Sequence, residues 1–390
     1  QSGDYSSSYS LMHGTTSAPL LLPRPSPWGR DARLWPLFTV LLVFLGGCGK
    51  EETAPSAGYS GPARVSVMTF NVENLFDTKH DPGKADHTYL PLAKKRTARH
   101  KAACARIKGA YRRGQCLSLD WSSEALALKL ERLRAAVLRA GGGRGPDILV
   151  LQEVENIRVL ERLRREHLAP AGYLPGILVE GDDFRGIDAA LLSRLERVGA
   201  PKPHKIPFVG MTPGQERSSR GILEAAFRLP DGEILSVFAV HFPAPFLSRE
   251  LRAQALGFLG GLLAALPADR MAVAAGDFNI SSEEDAQYRL LDRHAAGRWL
   301  VSHRVGCEDC PGSAYYRPAD SWSFLDMILL SKNLAVEGGA PWVVIADSVR
   351  VVDDGPHQKA ADGTPAPFDA ADGSGVSDHF PVVLELEKRR

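Results

Sequence analysis

The sequence has almost no net charge and few cysteines, and its N-terminal apolar run is short. The 390 residues carry a formal charge of +1, which excludes binding of nucleic acid through overall charge alone and leaves only a local basic patch. Apolar residues make up 44% of the chain, enough for a sizeable core, and the length fits one or two domains. The apolar run at 34–45 has about 12 residues, too few to span a bilayer.

This apolar run belongs to a predicted export signal. Arg30 and Arg33 precede it, and it ends at Leu45-Gly46-Gly47-Cys48, which resembles the lipobox of bacterial lipoproteins. Cys48 is therefore the predicted lipidation site, which places the protein on a membrane of the bacterial cell envelope, on its periplasmic side or its outer surface. The alternative is a cleaved secretory signal with an incidental cysteine.

The chain divides into four predicted segments. The first lacks a periodic apolar face, which indicates disorder or a misassigned start, and the third is a Pro-, Ser- and Gly-containing linker. In chain order the segments are 1–29, the signal peptide 30–48, the linker 49–63 and one catalytic domain at 64–388.

Four cysteines remain after Cys48, and an exported protein meets an oxidising compartment in which they can pair. The local pairings are Cys104 with Cys116 and Cys307 with Cys310, although sequence alone does not fix connectivity. Cys307 and Cys310 also have the spacing of half a zinc site. No second Cys or His pair has matching spacing, so disulfides are favoured.

Alternating apolar patterns predict an α/β or α+β domain. Ser122 precedes a helix in which Leu126, Leu130 and Leu133 recur at helical spacing. Residues 227–238 predict a hairpin with a Pro-Asp-Gly turn, so antiparallel pairing is present. Further strands are predicted at 65–70, 147–152, 187–192, 271–275 and 380–386, and further helices at 155–168 and 248–266.

Several apolar runs end in a polar residue, and strand ends are where a rigid sheet can hold polar groups in one cleft. Glu, Asp and Asn oxygens without a Cys/His cluster suit Mg²⁺, for which Mn²⁺ can substitute. The polar residues at these positions are Asn71, Glu153, His241, Asp277, Asn279, Asp326, Asp378 and His379.

Each of these residues also has a purely structural explanation: Glu153 as a helix cap or solvated charge, Asp277 with Asn279 as an ordinary Asx turn, and a single histidine as a structural group. As a set they predict chemistry. Asp277 is suited to deprotonate water and Asn279 to donate a hydrogen bond to the transition state. Gly276 precedes Asp277, and its missing side chain lets the turn approach a phosphate.

The histidines complete the candidate set. His379 offers an imidazole to a phosphate, and Asp326 is suited to fix its tautomer by accepting the other N–H. His241 is a candidate acid or phosphate binder.

In this order the motifs resemble the endonuclease/exonuclease/phosphatase superfamily over about residues 64 to 388. The resemblance implies an α+β fold like that of deoxyribonuclease I, a four-layer α/β/β/α sandwich of two mixed sheets. The motifs that carry it are Phe70-Asn71-Val72-Glu73-Asn74, Leu151-Gln152-Glu153, His241, Gly276-Asp277-Phe278-Asn279, Leu325-Asp326 and Ser377-Asp378-His379-Phe380-Pro381.

The resemblance also implies roles. Asn71 and Glu153 hold the metal and phosphate, with Asp378 near the metal. Asp277 activates water and Asn279 stabilises the pentavalent state. His379, paired with Asp326, contacts phosphate, and His241 matches the general acid of nuclease and sphingomyelinase branches. Glu73 is either a second metal ligand or only a turn cap. Leu325 and Met327 around Asp326 disfavour the inositol-polyphosphate phosphatase branch.

A basic segment follows the first predicted strand. Residues 94–113 contain nine Lys or Arg residues and no acidic residue, so they are suited to neutralise several nucleic-acid phosphates. A solvated helix face or a contact with anionic lipids is the alternative. Arg185 and Arg220 are further candidate phosphate-binding residues.

The sequence thus predicts a monomeric, lipid-anchored, Mg²⁺-dependent phosphodiesterase outside the cytoplasm, with nucleic acid as the favoured substrate. Phospholipid or phosphomonoester hydrolysis is the alternative enzyme activity. A catalytically silent lipoprotein that binds polyanions is the non-enzymatic alternative.

Overall fold

The computed structural model describes residues 63–390. The predicted segments 1–29 and 30–48, with Cys48, and all but the last residue of the linker 49–63 lie outside the described residues. The described strands are β1 Arg64–Leu75, β2 Ile148–Val154, β3 Ile177–Leu178, β4 Asp188–Ser193, β5 Arg197–His204, β6 Ile222–Arg228, β7 Ile234–His241, β8 Met271–Asp277, β9 Trp299–Val301, β10 Ala314–Tyr316, β11 Ser321–Ser323, β12 Asp326–Ser331, β13 Trp342–Val351 and β14 Val382–Lys388.

The helices lie between these strands, mostly in the connections. They are α1 Ala98–Ala105, α2 Ala110–Ser118, α3 Ser123–Val137, α4 Ile157–Leu163, α5 Pro213–Glu216, α6 Arg249–Ala264, α7 Ser282–Tyr288, α8 Leu290–His294 and α9 Ser302–Val305. None of the helices within residues 63–390 is both long enough and apolar enough to cross a bilayer.

Two mixed sheets of six strands form the centre of the domain. Their strand orders are β13-β14-β1-β2-β4-β3 and β5-β6-β7-β8-β12-β9. Each sheet has one parallel pair, β1 with β2 and β7 with β8, and its other neighbouring strands are antiparallel. The predicted four-layer sandwich of two mixed sheets is therefore confirmed.

The layers follow from the alternation of side chains along each strand. Val67 and Val150 of the first sheet share a buried cluster with Val237 and Ile328 of the second, so this cluster is the core between the sheets. Met68 and Leu149 face the other way and pack with residues of α3 and α4. A third cluster packs the outer face of the second sheet against α6 and α8.

The local predictions are confirmed, with shifts at element ends. The Ser122 side chain caps α3 by accepting from the Ala125 amide, and the Pro-Asp-Gly turn joins β6 to β7. The helix predicted from residue 155 begins at Ile157 instead, because the Asn156 side chain supplies its N-terminal cap. The two local disulfides, Cys104–Cys116 and Cys307–Cys310, are both present.

Candidate active site

The two parallel pairs bring polar residues to one edge of each sheet. Asn71 and Glu153 lie where β1 and β2 leave their regular pairing, and Glu153 has a left-handed backbone with φ 65°. The amide of Asn74 donates to Glu153 Oε2 (3.0 Å), and the amide of Glu73 donates to Asn71 Oδ1 (3.1 Å). Left-handed backbone at a non-glycine residue is uncommon and is concentrated at functional sites.

The second sheet supplies the other half of the site. His241 and Asp277 end the parallel strands β7 and β8 and are register partners. The Asn279 amide donates to Asp277 Oδ1 (2.8 Å), and its Nδ2 donates to the Phe242 carbonyl (3.0 Å). The Asx turn considered from the sequence is therefore present, and it holds Asp277 and Asn279 in fixed relative positions.

Polar contacts join the two halves. Asn71 Nδ2 donates to Asp277 Oδ2 (3.1 Å), which connects β1 of the first sheet to β8 of the second. His241 Nε2 lies 3.6 Å from Asp277 Oδ2 and 4.0 Å from Glu153 Oε1. Four residues that are far apart in sequence thus meet in one place.

Asp326 and His379 form a buried pair beside Asp277. Asp326 begins β12, which runs antiparallel to β8, so it lies opposite Asp277 in the register. His379 Nδ1 lies 2.6 Å from Asp326 Oδ2, which also accepts from Ser313 Oγ (2.8 Å). The predicted pairing of Asp326 with His379 is confirmed, and the Nδ1–H of His379 donates to the Asp326 carboxylate.

Burial and neighbouring charges set the protonation of this cluster. Burial, followed by the Asp326 carboxylate, raises the pKa of Asp277 to about 7. Burial works against a charged His379, but Asp326 outweighs it and holds the pKa of that imidazole well above its usual value. Burial and the Arg220 guanidinium depress the pKa of His241 well below its usual value, so His241 is neutral at neutral pH.

Glu73 has a position that the sequence left open. Its Oε2 accepts from the Phe368 amide (2.8 Å), which ties the end of β1 to the loop before Asp378. Burial and then Asp378 raise the pKa of Glu73 to about 8. Lys129 of α3 lies close to both acids and donates to the Val376 carbonyl (2.6 Å). Asp378 itself is 53% exposed at the mouth of the site.

The two candidate phosphate-binding arginines differ sharply. Arg220 is buried, and its three nitrogens donate to the His241 carbonyl (3.2 Å), the Phe242 carbonyl (3.1 Å) and Asp183 Oδ2 (2.9 Å). Its guanidinium therefore supports the end of β7. Arg185 is 42% exposed, with Nε 3.8 Å from Asp183 Oδ1, and its charge acts on His241.

Several supporting contacts were not predicted. Asp183 anchors Arg220, Ser313 holds Asp326, and Ser377 donates its hydroxyl to the Asn71 carbonyl (2.7 Å). Lys129 carries a sequence signal, because it follows Leu126 by three residues and so lies on the apolar face of α3. Asp183 and Ser313 have no such signal in the sequence.

Gly276 also has a structural role, in addition to the predicted approach to phosphate. It has φ 155°, and a Cβ atom there would lie 2.0 Å from the Val240 carbonyl oxygen on the neighbouring strand β7. The glycine therefore allows the close packing of β7 and β8 that places His241 beside Asp277.

Residues 68–379 match the model of the Endonuclease/Exonuclease/phosphatase family. No curated protein matches the sequence. A structure from Bacteroides vulgatus described as an endonuclease/exonuclease/phosphatase has a TM-score of 0.50 at 18% identity, covering 84% of this chain and 100% of its own. A humanized D. rerio TDP2 and a family protein from Leptotrichia buccalis each have a TM-score of 0.50 at 14% identity, covering 83% of this chain and 99% of their own. These structures share the fold.

The matching family comprises endonucleases, exonucleases and phosphatases, which are all hydrolases of phosphate esters. The chain belongs to the endonuclease/exonuclease/phosphatase family, as its motifs predicted. Members of this family generally depend on a divalent metal.

Proposed function

We propose that the protein is a Mg²⁺-dependent phosphodiesterase that cleaves nucleic acid outside the cytoplasm. The observation that carries the proposal is the junction of the two sheets, where Asn71 of β1 and Asp277 of β8 share a hydrogen bond of 3.1 Å with Glu153 and His241 alongside. The buried Asp326–His379 pair completes the set.

The donor set suits Mg²⁺. Glu153, Glu73 and Asp378 offer carboxylates and Asn71 an amide, with no sulfur ligand among them, and Mg²⁺ binds one or two carboxylates and keeps several waters. Glu153 and Asn71 are the proposed holders, with Glu73 and Asp378 beside them, and Mn²⁺ is a substitute. When bound, the ion neutralises charge that develops on the phosphate oxygens.

The protein's own residues accept the proton of the attacking water and position the phosphate. Asp277 accepts a proton from the attacking water, and a pKa of about 7 suits a base working near neutral pH. Asn279 Nδ2 keeps one N–H for the transition state beyond its bond to Phe242. His379, held protonated by Asp326, contacts the phosphate as a cation.

For His241 we propose a role other than the general acid that the resemblance implied. Its neutral ring lies among Asp277, Glu153 and the Arg220 charge. We therefore assign it a hydrogen bond to the phosphate or leaving oxygen in place of full proton donation.

The basic segment favours nucleic acid as the substrate. Residues 94–113 fold into α1 and α2, which the Cys104–Cys116 disulfide joins. Six cations of this segment are exposed and form neither an ion pair nor a side-chain hydrogen bond within residues 63–390; these are Arg96, Arg99, Lys101, Arg106, Lys108 and Arg112. Tyr111 beside them is 73% exposed, as suits stacking on a base.

The location is inferred from the chain's N-terminal sequence and its disulfides. The lipobox-like Leu45 to Cys48 supports lipidation of Cys48 and attachment to a membrane of the bacterial envelope. The Cys104–Cys116 and Cys307–Cys310 disulfides support an oxidising compartment. Attachment predicts that palmitate labelling marks the wild type and not Cys48→Ser.

The test is cleavage of plasmid DNA, RNA and a synthetic diester by the full chain in Mg²⁺ or Mn²⁺, with and without chelator. Asp277→Ala should abolish the activity, whereas Asp347→Ala, at an exposed acid on β13, should leave it unchanged. No turnover of any diester in either metal would refute the proposal. Release of choline phosphate or inorganic phosphate without nucleic-acid cleavage would instead select the alternative substrates.

The role of the basic segment has its own test. If the six cations contact DNA phosphates, Arg106→Gln with Arg112→Gln should reduce the slope of log K against log salt by about 2. The lipid surface would be selected if the wild type binds anionic vesicles as tightly as DNA and the double variant loses vesicle binding while it keeps DNA binding. Polyanion binding that is equally tight with and without metal, together with no turnover, would favour the non-enzymatic alternative.

A further inference from the structure

A second cluster of side chains of the types that bind metals lies in the loop that follows β1. His80, Asp86 and His87 have ligand atoms within 4.8 Å of one another. Asp86 is buried, while the His80 and His87 side chains are 31% and 22% exposed, so the cluster is open to an ion from solvent. We propose that this cluster binds a divalent transition-metal ion of the zinc type, with His80, Asp86 and His87 as ligands and His100 as the fourth.

The ligand types separate this cluster from the catalytic site. Imidazole nitrogens with one carboxylate suit Zn²⁺, whereas the oxygen-rich catalytic set suits Mg²⁺. Asp86 Oδ1 already contacts His80 Nδ1 and lies 3.9 Å from His87 Nδ1. A metal ion would take the place of the hydrogen bond between His80 Nδ1 and Asp86 Oδ1.

His100 gives the independent evidence. This histidine is 4% exposed, and its Nε2 lies 2.9 Å from the Cys116 carbonyl oxygen. A carbonyl only accepts, so Nε2 carries the proton and Nδ1 of the neutral ring is a bare acceptor. Nδ1 is buried and has no hydrogen-bond partner. Metal-binding histidines are typically oriented in this way, with one N–H donating to a backbone carbonyl and the other nitrogen free for the ion.

The ring positions fit a shared ion. The His80 and His87 ring centres are 4.2 Å apart, and those of His87 and His100 are 6.0 Å apart. Two imidazoles bound to one tetrahedral ion at ordinary Zn–N distances have ring centres about 5 Å apart. Shifts of about 1 Å therefore bring both pairs to that spacing. The hydrogen bonds that Asp86 accepts account for the position of its own side chain, but they do not account for the buried His100 Nδ1 that has no partner.

The ion would join two parts of the chain. His80 and His87 lie on the loop after the catalytic strand β1, and His100 lies on α1. The Cys104–Cys116 disulfide already connects α1 to α2. Metal at this cluster would therefore fasten the basic helices to the strand that carries Asn71.

The experiment is equilibrium dialysis of the full chain against micromolar zinc in excess Mg²⁺, with Glu153→Gln used to remove a proposed catalytic metal ligand. We expect one zinc in both the wild type and Glu153→Gln. His87→Asn and His80→Gln should lose it, and His100→Gln should bind at least about tenfold more weakly. His204→Asn is the matched control, because His204 is also 22% exposed and bonded to a carboxylate, Glu224.

Two further readouts keep the test decisive. Cobalt in place of zinc should give the visible absorption of a tetrahedral site, and zinc should raise the melting temperature of the wild type but not of His87→Asn. If His87→Asn does not fold, the more exposed His80→Gln decides. No bound zinc in the folded wild type, or equal zinc in the wild type and the folded ligand variants, would overturn the proposal. Diester cleavage in Mg²⁺ is measured separately, so failure of the proposed function leaves this result standing.

Discussion

Replacing Arg220 by Met should destabilise the domain rather than weaken substrate binding. The substitution removes the donors to the His241 and Phe242 carbonyls and leaves the carboxylate of Asp183, whose side chain is 1% exposed, without its cation. Breaking a buried pair on one side costs about 3–5 kcal/mol. For a region of this size the unfolding entropy is about 0.7 kcal/mol/K, so the melting temperature should fall by about 4–7 °C.

The assay is thermal unfolding together with steady-state kinetics on a diester. We expect kcat to fall, because the strand end that carries His241 loosens, and KM to stay near the wild-type value. Arg228→Met is the control, since Arg228 ends β6, the strand that follows Arg220, and pairs with Glu196 in an exposed position, so its loss should cost less than about 1 kcal/mol. A wild-type melting temperature with a large rise in KM would refute the reasoning and give Arg220 the phosphate contact predicted from the sequence.

Three further outcomes follow from the site. Glu73 has a pKa raised from 4.5 to about 8, so metal-free stability should fall as pH rises through that interval; melting curves of Glu73→Gln should lack this part of the fall. Asp326→Asn should lower kcat by about 10² to 10⁴, and NMR of the His379 ring should show a lowered pKa, because its main raising charge is gone. Joint replacement of Cys104 and Cys116 by Ser should cost about 3 kcal/mol and raise KM for DNA but not for a small diester.

Each of these three predictions has a result that would contradict it. An unchanged pH dependence in Glu73→Gln would mean that Glu73 is ionised across the interval. An unaltered His379 titration in Asp326→Asn would remove Asp326 as the source of its charge. Equal KM changes for DNA and the small diester in the cysteine variant would separate the basic helices from nucleic-acid binding.

The sequence indicated which residues of the candidate site lie close together, because polar residues at strand ends can be recognised locally. An apolar run followed by Asn71 or Asp277 is visible in a few residues, and the order of such runs revealed the family. The pairing of Asp326 with His379 also followed from their types. These predictions needed no knowledge of how the sheets pack.

The rest depends on contacts between distant segments. Glu73 meets the Phe368 amide across 295 positions, and nothing near either residue signals it. The bonds of Arg220 to backbone carbonyls likewise require the three-dimensional course of β7. The start of α4 at Ile157 depends on which side chain caps the helix, and the pattern of apolar residues does not indicate which one does.

Because the site is divided between two sheets, the catalytic rate should depend on the relative position of those sheets. The Asn71–Asp277 hydrogen bond joins the two sheets, and a cluster of buried apolar side chains, Val67 and Val237 among them, packs between these sheets. A methyl group removed from that layer changes no ionisable residue, yet it alters the distance over which the two halves must cooperate. The turnover rate would then depend on how the apolar side chains between the sheets pack, although none of them takes part in the chemistry.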